Sequence, residues 1–451
     1  MPHPNHKLTV FSMKRIMPAV LLLAVFLLLG TVPSYSIPAF ARKYKTSCMT
    51  CHNGFPKLNA FGEAFRRNGY QFPAGTDAEM TKEDPVSLGS EGNKKAFPEA
   101  IWPGSIPGTS PISIFLNGEV DYNPQVDPRF TFGGLGSSIE AVAGGTLGED
   151  LSFWGQFALN ADGTTELNRI FMIFSNLIGD NYALNMRVGV IEPSLFSFST
   201  HRAWLEGYWL TTRPLSDAPG EMGWTIEETQ KGIELNGMAM GRFGWSGGIV
   251  EGFGPAHADK DYYLHATYKF GGMPLDGAVG EGAAPSSSAR PYVDNSLTIG
   301  AFGYWGNASL GPDSLGAVPE NKFGMVGGDI NIYYDRFNLF GGVGVRHDAQ
   351  PYLAGPGIGI NSTVWFAELD VTVFPWLLPG LRYESWNGEA LDPTAPGATQ
   401  SYTDSQVVPG IVFLVRANVK VTLRGTFAKL FANGDTKLQP GQVAAMLTLG
   451  I

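Results

Sequence analysis

Both cysteines of the 451-residue chain belong to one short motif, Cys48-Met49-Thr50-Cys51-His52. A Cys-x-x-Cys-His sequence is the attachment signature of a c-type haem. The spacing lets the two thiols add to the two vinyl groups of one porphyrin edge, and it brings the adjacent imidazole beneath the iron. We therefore predict one covalently attached c-type haem, bound to Cys48 and Cys51, with His52 as the proximal ligand of the iron.

Two other chemistries use similar residues. A zinc site needs further ligands close by, but the chain has no third cysteine and the next histidine after His52 is His201. A redox-active dithiol usually belongs to a thioredoxin-like βαβ pattern, which the surrounding sequence lacks. We favour haem attachment over both.

The sixth ligand of the iron is less directly specified. No histidine lies between residues 53 and 110, and Met80 is the only methionine in that stretch. Thioether ligation by Met80 would raise the haem potential. We take Met80 as the predicted distal ligand; a lysine, a residue of the later chain such as His201, or water are the alternatives.

A short helix is predicted directly after the motif. Pro56 suits a first helical turn, Leu58, Phe61 and Phe65 recur at helical spacing, and Asn68-Gly69 is a typical helix end. We expect the apolar stripe of this helix to cover one haem face. The alternative is that the stripe packs against the larger domain that follows.

The N-terminus indicates an exported protein. Lys14 and Arg15 precede an apolar run from Ile16 to Gly30, and a small-residue site ends at Ser36. These three parts are typical of a secretory signal peptide, predicted here as residues 1–36, with a site at residues 39–41 as the other cleavage position. The apolar run is shorter than the ~20 residues of a membrane anchor, and no later run is long and apolar enough to be one.

Composition points to an outer-membrane β-barrel. The chain has 58 glycines, 12% aromatic residues, 16% charged residues and a net charge of −10, and the acidic balance argues against nucleic acid as a partner. From Pro111 onward, apolar and polar residues alternate with a period of two, and the polar set carries many charges, as expected of a wet lumen. Examples of the apolar set are Ile112, Ile114, Leu116, Val120 and Tyr122.

The length of this region suggests the size of the barrel. Residues 111–451, at roughly 20 to 22 residues per strand and connection, give about 16 strands. We expect an aromatic outer face along Tyr262, Leu264, Ala266, Tyr268 and Phe270, and interfacial aromatic girdles that include Trp204, Trp209, Trp376 and Trp386. Acidic lumen positions that could concentrate cations are Glu119, Asp121, Glu368 and Asp370.

The predicted fold is therefore all-β: a transmembrane up-and-down β-barrel of about 16 strands, preceded by a small helical c-type haem domain. The domains are a signal peptide (1–36), a monohaem cytochrome domain (37–75), a Pro-, Gly- and Ser-rich linker or lumen loop (76–110) and the barrel (111–451). Residues 37–75 are too few for a self-contained class I cytochrome c, so we expect the barrel wall to shelter the haem.

Residues 38–70 also resemble a known family. The stretch Pro38 to Arg42, the haem motif, and the stretch Phe55 to Tyr70 are similar to the fused monohaem cytochrome–porins of the outer membrane, best known from iron(II)-oxidising bacteria. Beyond residue 70 the likeness is one of architecture. Lys43-Tyr44-Lys45 departs from the Gln-Thr-Gly-like segment expected there. The resemblance implies haem attachment at Cys48 and Cys51, ligation by His52, and electron transfer across the outer membrane.

These observations predict an outer-membrane conduit that passes electrons from extracellular Fe(II), or another donor, through one haem to a periplasmic c-type cytochrome. Electron export to an extracellular acceptor would use the same parts. Two further alternatives are a solute porin with a haem-bearing plug or redox gate, and a haem enzyme such as a peroxidase with an open sixth site. Besides the two redox partners, outer-membrane lipid is the expected contact of the barrel.

Overall fold

The computed structural model describes residues 39–450, apart from 74–75, 83, 85, 88–90, 100–104, 109, 133–136, 206, 213–228, 253–258, 279–289, 310–319, 352–357 and 392–397. The described residues belong to one compact unit. The predicted signal peptide lies outside them.

The described helices are short, and none of them is long and apolar enough to cross a membrane. They are α1 (Ala39–Tyr44), α2 (Ala60–Arg67), α3 (Asp77–Met80), α4 (Glu91–Ala96) and α5 (Trp209–Thr212), with single 3₁₀ turns at Cys48–Thr50 and Phe431–Asn433. The small strands β1 (Val86–Ser87) and β2 (Ser105–Ile106) pair with each other. The predicted linker, residues 76–110, therefore contains local structure of its own.

Sixteen of the described strands pair antiparallel, each with the next in sequence, into a closed barrel. They are β3 (Ile112–Tyr122), β5 (Ser138–Thr146), β6 (Leu151–Asn160), β7 (Thr165–Phe174), β8 (Asn185–Ile191), β9 (Gln230–Ala239), β10 (Phe243–Val250), β11 (Asp261–Gly271), β12 (Ser296–Ser309), β13 (Glu320–Tyr334), β14 (Phe337–Asp348), β15 (Ile360–Val371), β16 (Leu377–Leu391), β17 (Thr399–Arg416), β18 (Val419–Lys429) and β19 (Gln439–Gly450). Pairing of β19 with β3 closes the ring, and the three-residue strand β4 (Phe130–Phe132) pairs with β3 alongside β5. The predicted barrel is confirmed.

The alternating pattern places apolar side chains on the outside of the wall. On β11, Tyr262 and Leu264 are 51% and 59% exposed, while the intervening Tyr263 and His265 are buried on the lumen side. The predicted outer face of this strand is therefore confirmed. An exposed apolar band of this kind suits the hydrocarbon of a bilayer.

The predicted aromatic girdle is only partly right. Trp376 is 52% exposed in the turn before β16, as expected, but Trp386 is fully buried in the lumen. Trp386 lies two residues after Glu384 and four residues after Arg382. Both of these side chains also face the lumen. Successive side chains of a strand alternate between faces, so Trp386 shares the inward face of these charged residues.

The two ends of the barrel differ. The connections at one end include two-residue turns at 335–336 and 417–418, and the chain enters β3 and leaves β19 at this end. We call it the short-turn end. The opposite, long-loop end carries the longest connection, 192–229 between β8 and β9. In outer-membrane barrels, short turns face the periplasm and longer loops face outward.

Part of the longest connection folds back into the barrel, and we call residues 192–212 the lumen loop. The backbone N–H of Ser197 donates to Asp329 on β13 at 3.0 Å, and Arg382 on β16 donates to the carbonyl of Leu205. The other two predicted girdle tryptophans, Trp204 and Trp209, belong to this loop. Trp204 is 2% exposed and Trp209 is half-buried, so both predictions are wrong.

The described residues of the stretch 39–80, which we call the motif segment, also lie inside the barrel. At the short-turn end, the N–H of Ala39 donates to Ser113 Oγ at 2.8 Å, and Asn68 Nδ2 donates to the carbonyl of Asp276 at 2.8 Å. Arg67 Nη2 donates to the carbonyl of Ser197 in the lumen loop at 2.9 Å. The barrel wall therefore shelters the segment.

The outer wall gives a direct test. Ala266 is exposed near the middle of β11, so Ala266→Arg would place a charge against hydrocarbon. We expect it to lower the free energy of unfolding in lipid vesicles by ~2–4 kcal/mol. Ala266→Leu adds apolar bulk at the same position and should change stability by no more than ~0.5 kcal/mol. An arginine variant as stable as the wild type would contradict a lipid-facing wall.

Candidate functional site

The Cys-x-x-Cys-His motif folds into one tight turn. Ser47 caps the 3₁₀ turn by accepting the N–H of Met49. The N–H groups of Cys51 and His52 both donate to the carbonyl of Cys48, at 3.3 and 3.0 Å. The two thiols and the imidazole therefore project from a single local structure.

The start of α2 is bound to this turn. Asn59 is the N-cap: its Oδ1 accepts the N–H of Gly62 at 2.9 Å, while its Nδ2 donates to the carbonyls of Met49 and Thr50 at 3.2 and 3.1 Å. A Cβ on Gly62 would overlap the carbonyl oxygen of Cys51. One capping residue and one glycine thus hold the motif against the helix.

The helix differs from the sequence prediction in two respects. It begins at Ala60, so Pro56 precedes it and does not occupy its first turn. The apolar stripe is buried, but Phe61 and Phe65 pack on Phe72, with ring centroids 5.1 and 5.9 Å away. Neither ring lines the cavity beside His52 that is described below.

His52 is prepared to act as a neutral ligand. Its Nδ1 lies 3.0 Å from the carbonyl oxygen of Pro56, and a carbonyl only accepts, so Nδ1 carries the proton and Nε2 keeps its lone pair. Burial lowers the pKa of His52 to about 4. A hydrogen bond from the second ring nitrogen to a carbonyl is the usual support of a metal-bound histidine.

The cysteines are not tuned for thiol exchange. The two sulfur atoms are not joined in a disulfide. Burial raises the pKa of Cys48 above its ordinary value, and burial together with the charge of Cys48 raises the pKa of Cys51 to about 12. Redox-active cysteines have lowered pKa values, so these shifts disfavour the dithiol alternative.

A cavity of about 800 Å³ opens beside His52, and we call it the His52 cavity. Its lining runs from Ser113, near the short-turn end, to Thr229, which precedes β9 at the long-loop end. Aromatic rings of Phe40, Phe55 and Trp154 form part of its wall. Its volume falls within the range of ligand and cofactor pockets.

The charged side chains that line the His52 cavity are mainly cationic. Its described lining residues include four cations but a single acidic residue, Glu140. The cations are Arg169, Arg202, Lys420 and Arg424. These cations and Glu140 come from β5, β7, β18 and the lumen loop. No local sequence pattern joins them, which is why sequence reasoning did not single them out.

The lumen loop brings His201 to the same cavity. Glu192 Oε2 lies 2.8 Å from Nε2 of His201 and 3.2 Å from Nη1 of Arg169, while Thr200 donates to Glu192 Oε1 at 3.0 Å. Burial alone would raise the pKa of Glu192, but His201, Arg169 and Arg202 hold it well below its usual range. The carboxylate therefore stays charged beside the imidazole.

Met80, the predicted distal ligand, has a different environment. It ends α3 and packs against the aromatic core that includes Tyr44, Phe61 and Phe72. It is not among the described residues that line the His52 cavity. The structure thus brings His201, and not Met80, to the cavity of His52.

The acidic lumen positions are engaged in buried contacts. Asp370 pairs with Lys57 of the motif segment, and Glu368 lies 3.5 Å from Arg382. Glu119 and Asp121 are also buried. Among the residues that the structure describes, no three His, Cys, Asp or Glu side chains are grouped to hold a metal ion.

No protein-family model and no curated protein matches this chain. The outer membrane protein OmpT of Vibrio cholerae, folded in vitro and in its trimer form, superposes with a TM-score of 0.51 at 13% identity, over 76% of this chain and 99% of that chain. An anion-selective porin from Comamonas acidovorans gives 0.49 at 11% identity, over 76% and 98%. OprB of Pseudomonas putida gives 0.49 at 11%, over 75% and 94%. The likeness to OmpT shows that the chain has an outer-membrane, porin-like β-barrel fold.

Contact between α2 and the motif can be tested at Gly62. We expect Gly62→Ala to cost ~1–3 kcal/mol, because the added methyl group must displace the Cys51 carbonyl. Gly118→Ala is the matched control, since a Cβ at Gly118 meets nothing within 4 Å. Denaturant unfolding and protease resistance of residues 39–80 would be measured. Equal effects of the two substitutions would contradict the close approach.

A second test concerns the anchor of the motif segment. Lys57→Met removes the cation buried beside Asp370, and breaking such a pair costs ~3–5 kcal/mol because a charge is left uncompensated. The double variant Lys57→Met with Asp370→Leu removes both charges and should recover most of this loss. Unfolding free energy and protease cleavage within residues 39–80 report the effect. A double variant no more stable than the single one would show that the pair is not the anchor.

Proposed function

We propose that this protein is an outer-membrane cytochrome–porin that carries one c-type haem and conducts electrons between an extracellular donor and a periplasmic c-type cytochrome. The observation that carries the proposal is the position of His52. Its imidazole has Nδ1 fixed on the Pro56 carbonyl, and it lies on the wall of an 800 Å³ cavity within the lumen. Cys48 and Cys51 lie on the same turn.

The motif turn and the cavity wall together suit a haem: His52 lines the cavity, and Cys48 and Cys51 lie on the same turn but outside the described lining. The thiols would form the thioethers, and His52 would supply the proximal nitrogen. A haem carries two propionate groups, and the cationic side chains of the cavity wall suit carboxylates.

A bound haem supplies one-electron redox chemistry, and the chain supplies its placement and its insulation. The motif segment occupies the short-turn end of the lumen, which faces the periplasm in outer-membrane barrels. Cys48 adjoins Asn418 and Gly450 at this end, within reach of a periplasmic partner. The cavity extends from His52 toward the long-loop end, the side from which an extracellular donor would approach.

The nature of the donor rests on the resemblance to the iron(II)-oxidising cytochrome–porins. Asp370 and Glu368, which the sequence offered as cation-concentrating groups, have cationic partners of their own. We propose Fe(II) as the donor on the family likeness alone. Outer-sphere transfer needs proximity and a suitable potential rather than an acid or a base.

Partial filling of the lumen weighs against a wide solute channel, because the space left beside the motif segment and the lumen loop is the His52 cavity. The motif segment and the lumen loop meet inside the barrel, where Trp204 Nε1 donates to the carbonyls of Asn53 and Gly54 at 2.7 and 3.1 Å. A solute porin would need a continuous water-filled path past these contacts. If the protein were instead a solute porin with a haem-bearing plug, its solute conductance should rise when the haem changes redox state.

The proposal is tested with the mature full-length chain in liposomes that enclose an oxidised soluble c-type cytochrome. External Fe(II) should reduce the enclosed cytochrome when the protein carries covalent haem. The double variant Cys48→Ser with Cys51→Ser should abolish both haem attachment and reduction. Met49→Leu, which keeps the thiols and the imidazole, is the matched control and should retain both.

Three results would overturn the proposal. The first is a wild-type chain without covalent haem after expression with a cytochrome c maturation system. The second is unchanged reduction by the double cysteine variant. The third is large solute conductance in planar bilayers without electron transfer, which would support the plug alternative.

A further inference from the structure

The His52 cavity contains few side chains that could complete the coordination of a haem iron. Among its described lining residues, three besides His52 carry a nitrogen or sulfur of the right kind: His201, Lys420 and Met446. Histidine and methionine are the usual axial ligands of electron-transfer haems. The candidates for the sixth ligand are therefore the loop residue His201 and the wall residues Lys420 and Met446.

We propose, on the basis of the function proposed above, that His201 is the sixth ligand of the haem iron. The protein would then hold its haem between two histidines that lie far apart in the chain. His52 is supplied by the motif segment and His201 by the lumen loop, and both line one cavity.

The surroundings of His201 match those of a metal-bound histidine. An imidazole has two nitrogens, and a ligating histidine usually contacts a carboxylate or a carbonyl through the second one. Glu192 Oε2 lies 2.8 Å from Nε2 of His201, which leaves Nδ1 as the nitrogen available to the iron, and the carboxylate is itself held by Arg169 and Thr200. His52 has the opposite arrangement, since its Nδ1 contacts the Pro56 carbonyl and its Nε2 is the nitrogen left for the iron.

The two wall residues are less suitable. Met446 lies on β19, whose backbone is fixed by pairing with β18 on one side and β3 on the other. Lys420 lies on β18, and its Nζ is 5.9 Å from the ring centroid of Phe55. The backbone of a strand in a closed barrel cannot move toward an iron without breaking hydrogen bonds, so these two residues could approach only by rotation of their side chains, whereas His201 lies on a loop.

Ligation by His201 has a chemical consequence. With nitrogen ligands on both axial positions, no open coordination site remains for peroxide or oxygen, which disfavours the haem-enzyme alternative. Histidine–methionine ligation raises a haem potential, so a bis-histidine site has a lower potential than the one predicted with Met80.

The test uses the mature full-length chain with covalent haem, and it reads the ligands spectroscopically. Near-infrared magnetic circular dichroism and electron paramagnetic resonance should show a low-spin bis-histidine haem in the wild type. His201→Ala should produce a high-spin form that binds carbon monoxide when reduced. His201→Met should raise the midpoint potential, and Met80→Leu and Met446→Leu are controls that should leave the spectra unchanged.

A milder variant protects the test against misfolding. Glu192→Gln keeps the His201 imidazole but weakens its support, so external imidazole should displace His201 ~10–100-fold more easily. The spectrum without added imidazole should remain low-spin.

The outcomes separate the two proposals. Covalent haem in every variant, with His201→Ala still low-spin and bis-histidine, would overturn the role of His201 and leave the cytochrome–porin proposal standing. A high-spin haem in Met80→Leu or Met446→Leu would do the same and name the true ligand. Absence of covalent haem from the wild type, seen as an unchanged protein mass, would overturn both.

Discussion

Lys57 and Asp370 join the segment that bears the haem motif to the wall of the barrel. The ammonium group also lies 4.3 Å from the ring centroid of Phe340 and 5.0 Å from that of Trp204, and both members of the ion pair are buried. Without Lys57, Asp370 and the neighbouring Glu368 would lie together in the lumen, with Arg382 as the cation that lies beside Glu368 among the described residues. The barrel wall and the motif segment are therefore chemically complementary, and each satisfies charges that the other buries.

This complementarity extends to the lumen loop. Trp204 donates to carbonyls of the motif segment, and Arg67 of the segment donates back to the loop. Two pieces of chain that are distant in sequence thus form one packed body inside the barrel. The His52 cavity is the space that this packing leaves along the wall of β3, β5, β6, β7, β18 and β19. Its position follows from how the segment and the loop fill the rest of the lumen.

The sequence predicted local and periodic features well. The alternation along β11 identified its outer face, and the length of the region gave the strand number, because both depend on the period of a strand and the thickness of a bilayer. The lumen position of Trp386 was predictable from the sequence, although this residue was predicted to lie in the girdle. Arg382, Glu384 and Trp386 share one face of β16 by simple parity, so two charges in the lumen require the tryptophan there as well.

Other features could not be predicted because they depend on long-range contacts. The haem motif is recognisable from five adjacent residues, and Asn59 has the residue type of an N-cap. His201, however, reaches the cavity only because a long loop folds back into the barrel, and nothing in the local pattern of residues 192–212 indicates this. Met80 was the predicted ligand because it is close in sequence, but closeness along the chain does not determine which side chains share a cavity.

The enclosed position of the motif segment bears on how the mature protein is made. Covalent attachment of haem requires a maturation enzyme to handle both thiols and the porphyrin together. In the folded protein, Cys48 lies beside Asn418 and Gly450 at the short-turn end, Cys51 packs against the core inside the barrel, and the N–H of Ala39 is already bonded to the wall at Ser113. On the proposed function, haem attachment must precede barrel closure. The haem would then be attached first, and the barrel would assemble afterwards around the segment that carries it.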